Sequence, residues 1–272
     1  GRGRPGGGGH GGRLRARTAS SAATRAASDV YKRQVVGIAI GVVLLPDLSR
    51  RLRSEDQTGG RESFNRGAEF ALFLTLPAAV ALIVIALPVV TVLFERGAFT
   101  ANDSRQTAMA LAVYALGLPA FVLHKVLQPL YYAREDTRRP FLFALASMVV
   151  NIVTAAGLVP FIGFLAAAAG TTISSWVMVW QLWRGSRGMG AAASLDARFR
   201  RRVPRMLLAS VMMGAVLWGL AVLLGDMLVQ PGLRTIALAG VVLAGMATYF
   251  ASAMLTGGMS WAELSAALRR QR

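Results

Sequence analysis

The chain has 272 residues, 54% of them apolar and 16% charged, with mean hydropathy +0.50 and no cysteine. A soluble domain carries about a quarter charged residues and a disordered chain is poor in apolar ones, so both classes are excluded for most of the length. The formal net charge of +17 would suit a nucleic-acid binder, but eight of the 30 basic residues fall within 1–34 and the others cluster between long apolar runs. That is a membrane pattern, and nucleic acid is not an expected partner. The lack of cysteine removes disulfides, thiol catalysis and thiolate zinc sites.

Residues 1–34 hold eight glycines in their first twelve positions and almost no large aliphatic side chain. Such a stretch cannot bury enough surface to offset chain entropy and is expected to be disordered. It lacks the apolar core of a signal peptide. Its last seven residues, SDVYKRQ (28–34), resemble translated sequencing-adapter read-through, so the segment is set aside as artefactual.

Seven apolar segments follow at 35–48, 67–94, 106–132, 141–159, 164–183, 204–225 and 233–256. A spanning helix needs about 20 residues to cross roughly 30 Å of hydrocarbon, and six of the seven meet or approach that length. The first would rise only about 21 Å and starts abruptly after Gln34, so it reads as a span that has lost its beginning. Strands of this length are excluded, and none of the segments alternates polar with apolar as a barrel strand does. The predicted fold is an all-α, polytopic transmembrane bundle.

The connections give the orientation. Connections 49–66, 133–140 and 184–205, together with the C-terminal tail, contain 18 arginines, whereas 95–105, 160–163 and 226–234 contain Arg96, Arg105 and Arg234. This split respects helix parity and places the arginine-rich connections and the C-terminus in the cytoplasm.

Several residues inside the spans are candidates for function. Pro77, Pro88, Pro119 and Pro129 interrupt the second and third spans, a feature shared by transporters and by ordinary membrane helices. Gly37 to Gly41 and Ala166 to Gly170 are small-residue runs suited to close helix approach. Lys125 lies beside His124 and nine residues before Arg134, hence about 14 Å from the basic end of its helix. Charge in hydrocarbon costs about 2.5–3.5 kcal/mol on insertion scales, so Lys125 is either a cavity-facing cation or the partner of an acid or carbonyl. Asn151 could coordinate a substrate or ion, with an interhelical hydrogen bond as the plainer role. Glu69 reads as a surface-pairing acid near a helix end. With only His10 and His124, both isolated, and no phosphate-binding loop, catalysis is not expected.

Four strings together resemble the MurJ (MviN) family of lipid II flippases. They are GIAIGVVLLPDLSRRL at 37–52, NRGAEFALFLTLPAAVAL at 65–82, LFERGAFTANDS at 93–104 and KVLQPLYYAREDTRRP at 125–140, with Asn151 beyond them. The resemblance implies the C-terminal half of a fourteen-span carrier. Residues 35–203 would form part of a transporter lobe, 204–258 two additional helices and 259–272 a cytoplasmic tail. The implied substrate is lipid II, the undecaprenyl-diphosphate-linked peptidoglycan precursor, moved by alternating access across the bacterial inner membrane among its lipids. The resemblance also makes Lys125 the expected headgroup contact and Asn151 a cavity-facing residue. It assigns Arg96 and Asp103 to a periplasmic loop and Arg134 and Asp136 to a cytoplasmic helix end, all four in structural roles. No metal or other cofactor is implied, and coupling to an ion gradient or the membrane potential is left open. An exporter of another lipid-linked saccharide or of a drug is the neighbouring alternative. A seven-helix receptor is more distant, since 233–256 holds no lysine for retinal.

Overall fold

The computed structural model describes residues 57–190, 193–230 and 232–257, all of which belong to one compact unit within 40–265. The segments 1–34, 35–48 and 259–272 discussed above lie outside the described residues. Eight helices are present among those described: α1 (Gln57–Val84), α2 (Ala86–Phe94), α3 (Ala101–Tyr132), α4 (Arg138–Ile162), α5 (Leu165–Ser186), α6 (Ala197–Leu223), α7 (Gly225–Val229) and α8 (Arg234–Leu255). No strand occurs among them, in keeping with the all-α expectation.

Several helices run past their apolar segments. α1 starts ten residues before position 67, and α6 starts at Ala197, so Arg61, Arg66, Arg198 and Arg200 to Arg202 lie on helix rather than in loops. Arginine, glutamate and glutamine are good helix formers, and Asp196 caps α6 by accepting from the Phe199 N–H at 2.6 Å. The expected second span, 67–94, is divided at Ile85. Pro88 has no N–H to give the Val84 carbonyl and sits in the first turn of α2, where that donor is not needed.

Five of the described helices, α1, α3, α4, α6 and α8, are long and apolar enough to cross a membrane. α5 has 22 residues but is diluted by Thr171, Thr172, Ser174, Ser175 and Gln181. It packs against both α3 and α4, and this explains its composition: the small and polar side chains Ala166, Ala168, Gly170, Thr172, Ser174 and Ser175 are buried there rather than turned to lipid.

The helices pack in the order α4–α5–α3–α1–α6–α8, with α2 between α3 and α8. One apolar core joins α1, α3 and α5 through Phe64, Ala68, Val126, Leu130, Tyr131 and Leu182. A second joins the α1–α2 junction, α6 and α8 through Ile85, Ala209, Met213, Leu217, Val241 and Tyr249. Large apolar side chains such as Phe161, Trp218, Ile236 and Leu255 are exposed, as on a surface solvated by lipid tails.

Interhelical polar bonds go largely to backbone carbonyls. Pro77 leaves the Phe73 carbonyl without its helical donor, and the Tyr249 hydroxyl of α8 donates to that carbonyl at 2.8 Å. Pro119 frees the Ala115 carbonyl of α3, and bonds from α5 fall on either side of it. There the Trp176 indole N–H donates to the Leu116 carbonyl at 3.0 Å, and the Thr172 hydroxyl donates to Val113 at 2.8 Å.

Candidate functional site

α3 contains 32 residues and carries sequence-predicted residues along its whole length. Asp103 and Arg134 are separated by 31 residues, about 46 Å along a helix, so the two pairs of motif residues belong to opposite ends of the bundle.

At the N-terminal end, Thr100 and Asp103 form a capping box. The Thr100 N–H donates to Asp103 Oδ2 at 2.8 Å, and Thr100 Oγ1 accepts from the Asp103 N–H at 3.4 Å. Arg96 is exposed, and among the described residues its guanidinium reaches only the Val92 carbonyl, at 3.5 Å.

The C-terminal end of α3 closes in a Schellman pair, in which the Asp136 N–H donates to Tyr131 and the Glu135 N–H to Tyr132. Glu135 occupies the left-handed position, φ 61°, where glycine is usual. That turn sets the two motif residues. Arg134 donates through Nη1 to the Leu130 carbonyl at 2.9 Å and through Nη2 to the Met189 carbonyl, tying α3 to the segment after α5. Burial pushes its guanidinium pKa below the ordinary arginine value. Asp136 accepts from the Arg139 N–H at 3.0 Å and pairs with the Arg139 side chain at 3.4 Å, capping the first turn of α4.

Between these ends lie two open clefts that share Gln128 and Ala144. One, of about 340 Å³, is lined by His124 and Gln128 of α3, Ser147 and Asn151 of α4, and Ser174 and Ser175 of α5, with Met148 and Met178 as its apolar wall. The other, of about 470 Å³, is bordered by Gln128, Tyr132, Thr137 and Phe141. Asn151 is half-buried and donates through Nδ2 to Thr171 Oγ1 at 3.4 Å, so it serves the α4–α5 contact and lines the first cleft at once. Gly170 makes this possible, because a Cβ there would stand 3.0 Å from the Asn151 carbonyl and 3.1 Å from its Oδ1.

Lys125 is exposed and has no hydrogen-bond or ion-pair partner among the described residues, so the acid or carbonyl partner allowed by the sequence is not found there. It lines neither cleft itself, but lies one residue after His124 and three before Gln128, which do. Lys125 and Asn151 are therefore not in contact with each other. His124, which lines the first cleft with Asn151, buries its Nδ1.

Sequence reasoning missed a polar cluster at the arginine-rich end. Glu69 is not a surface acid: it is 4% exposed and faces Arg66 at 2.6 Å and Arg198 and Arg202 at 3.4 Å each. Arg66 also pairs with Asp196 at 2.8 Å. The fully buried Asn65 donates to the Ser194 carbonyl and accepts from the Asp196 N–H. Arg61 donates to the Ser194 and Leu195 carbonyls. With Arg134 bound to Met189, the three arginine-rich connections meet at one end of the bundle. The spacing of Asn65 and Glu69, four residues apart on one helical face, was the available signal; apart from Arg61 and Arg66 on the same helix, their partners lie more than 120 residues away.

The sequence model of the family described as "Lipid II flippase MurJ" matches residues 33–238. The chain belongs to the MurJ family. It is 40% identical over 248 residues to the probable lipid II flippase MurJ of Rhizobium meliloti, covering 87% of this chain and 44% of that protein. It is 36% identical over 222 residues to the protein of the same description from Vibrio cholerae, covering 81% of this chain and 42% of the relative. The chain thus spans less than half the length of these curated MurJ relatives. A solved structure described as "Lipid II flippase MurJ, inward closed conformation" superposes with a TM-score of 0.64 at 22% identity, covering 83% of this chain and 44% of that one. That likeness is one of fold. Membership in the MurJ family agrees with a multi-pass membrane protein and with the resemblance carried by the four strings.

Proposed function

We propose that this chain forms one wall of a lipid II flippase that moves the undecaprenyl-diphosphate-linked precursor across the bacterial inner membrane by alternating access, without catalysis. The arginine-rich end of the bundle and the C-terminus face the cytoplasm in this reading. α1 to α5 belong to a transporter lobe spanning 35–203, and α6 and α8 are the two additional helices within 204–258. The observation that carries the reading is Lys125, an exposed, unpartnered cation part-way along a membrane helix, one residue after His124 of the first cleft and three before Gln128, which lines both. A lysine in that position is tolerable where it meets water or an anion rather than lipid tails. A diphosphate supplies that anion, and ammonium-to-phosphate hydrogen bonds are among the stronger ones. Asn151 presents its amide at the far side of the cleft and is the second contact in this reading. Asp103, Arg134 and Asp136 hold the ends of α3, Arg96 sits in the loop before it, and none of the four touches the substrate in this reading.

The test is complementation of a flippase-depleted strain by a full-length protein carrying Lys125→Ala, with membrane abundance measured alongside. Loss of growth at normal abundance is expected, with partial rescue by Lys125→Arg. Unimpaired growth removes Lys125 from the site.

A further inference from the structure

The outer face of α5 carries a feature that headgroup transport does not use. Trp176, Trp180, Trp183, Arg184 and Arg187 recur at three- and four-residue steps, share one helical face and are all exposed. Two of the arginines stack on two of the tryptophans: the Arg184 guanidinium lies 5.5 Å from the Trp180 ring centroid, and that of Arg187 lies 4.0 Å from the Trp183 ring. Neither guanidinium has a hydrogen bond or ion pair among the described residues, and neither the Trp180 nor the Trp183 indole N–H has a partner. Trp176 is fixed by its bond to the Leu116 carbonyl.

Stacking holds a guanidinium flat against the indole by its face and leaves its N–H edge free. Tryptophan with arginine at the basic end of a membrane helix is the composition of the headgroup layer. Two such edges and two indole donors, all unsatisfied, form a cationic surface at that depth. We propose that this face of α5 is a docking site for the phosphate of an anionic glycerophospholipid, with Arg184 and Arg187 forking the phosphate oxygens and Trp180 and Trp183 packing on the glycerol and upper acyl chain. The partner is set by charge complementarity: a zwitterionic lipid brings its own ammonium to the phosphate and gains less from two arginines. The proposal rests on the chain being a membrane protein and is independent of what it transports.

The experiment uses the whole chain in phosphatidylcholine vesicles, with Trp176, Trp218 and Trp261 replaced by phenylalanine so that Trp180 and Trp183 report. A minor fraction of acyl-brominated phosphatidylglycerol should quench their fluorescence as though enriched roughly ten- to thirtyfold over equally brominated phosphatidylcholine, the enrichment two interfacial arginines provide. Arg184→Gln with Arg187→Gln should abolish that preference, whereas Arg138→Gln, an exposed arginine at the start of α4, should leave it. Native mass spectrometry of the unsubstituted chain and of the double variant repeats the comparison without the tryptophan replacements. Equal quenching by both lipids, or a preference that survives the double variant, overturns the proposal. So does one lost equally in Arg138→Gln, or displacement of phosphatidylglycerol by undecaprenyl diphosphate.

Discussion

Tyr249 and Pro77 make a testable pair. In a regular helix the Phe73 carbonyl would accept from residue 77, but proline has no N–H, and the Tyr249 hydroxyl takes that place at 2.8 Å. Tyr249→Phe keeps the ring, which packs 5.2 Å from Phe73 and is 4% exposed, and removes the donor alone. Interhelical hydrogen bonds in membrane proteins average about 0.6 kcal/mol and reach about 1.7. An orphaned buried carbonyl costs about 1–3 kcal/mol. The expected loss is therefore about 1–2 kcal/mol. In a Pro77→Ala background, residue 77 again supplies an N–H to Phe73, and the same Tyr249→Phe change should cost less than about 0.5 kcal/mol. The assay is reversible unfolding in mixed detergent–dodecyl sulfate micelles, followed by circular dichroism for the parent, both single variants and the double. If Tyr249→Phe costs the same with proline or alanine at 77, the hydroxyl is not replacing the missing backbone donor and the account fails.

Two further outcomes are expected in the same assay. Glu69→Gln should lower stability by about 2–4 kcal/mol, because a charge that is 6% exposed at its side chain leaves Arg66, Arg198 and Arg202 facing one another, while Arg198→Gln, 41% exposed, should cost under about 1 kcal/mol. Gly170→Val should force α4 from α5 at a cost of about 1–3 kcal/mol, since even its Cβ would press on the Asn151 carbonyl and the Ala155 methyl at 3.0 and 3.1 Å; a fully stable variant would show that the two helices are not in close contact there.

What the sequence disclosed was set by range. Helices were legible because their cause is local: uninterrupted apolar runs of twenty or more residues, bounded by arginine. The shared end of the arginine-rich connections was legible too, because loop charge and helix parity suffice for it. The start of α1 at Gln57 and of α6 at Ala197 was not, since Arg, Glu and Gln continue a helix as readily as they form a polar loop. The division at Ile85 was signalled by Pro88 but not located by it. Glu69 was misplaced for another reason. One acid among many arginines looks solvated until its partners on α6 are brought against it, and nothing within a few residues of Glu69 announces Asp196, Arg198 or Arg202. Lys125 and Asn151 could be singled out from their cost in hydrocarbon, whereas the cleft between α3, α4 and α5 depends on how closely Gly170 lets two helices approach.

Membrane helices gain little from apolar contact with one another, so the destinations of their polar groups distinguish packing from function. Tyr249 to Phe73, Thr172 to Val113, Trp176 to Leu116 and Tyr131 to Leu182 each spend a side-chain donor on a backbone carbonyl of a neighbouring helix, at 2.6–3.0 Å. These bonds join α8 to α1 and α5 to α3. α4 is held differently. It leans on α5 through the 3.4 Å Asn151–Thr171 bond and a 3.6 Å contact of the Ser147 hydroxyl with the Met178 sulfur, and only 6% of its apolar window is buried. His124 and Gln128 of α3 line the cleft against α4, and the next residue after His124, Lys125, is exposed with no partner among the described residues. In a medium that supplies no hydrogen bonds, an unpartnered cation is tolerable only where it meets water or an anion, the condition that the proposed headgroup contact would satisfy.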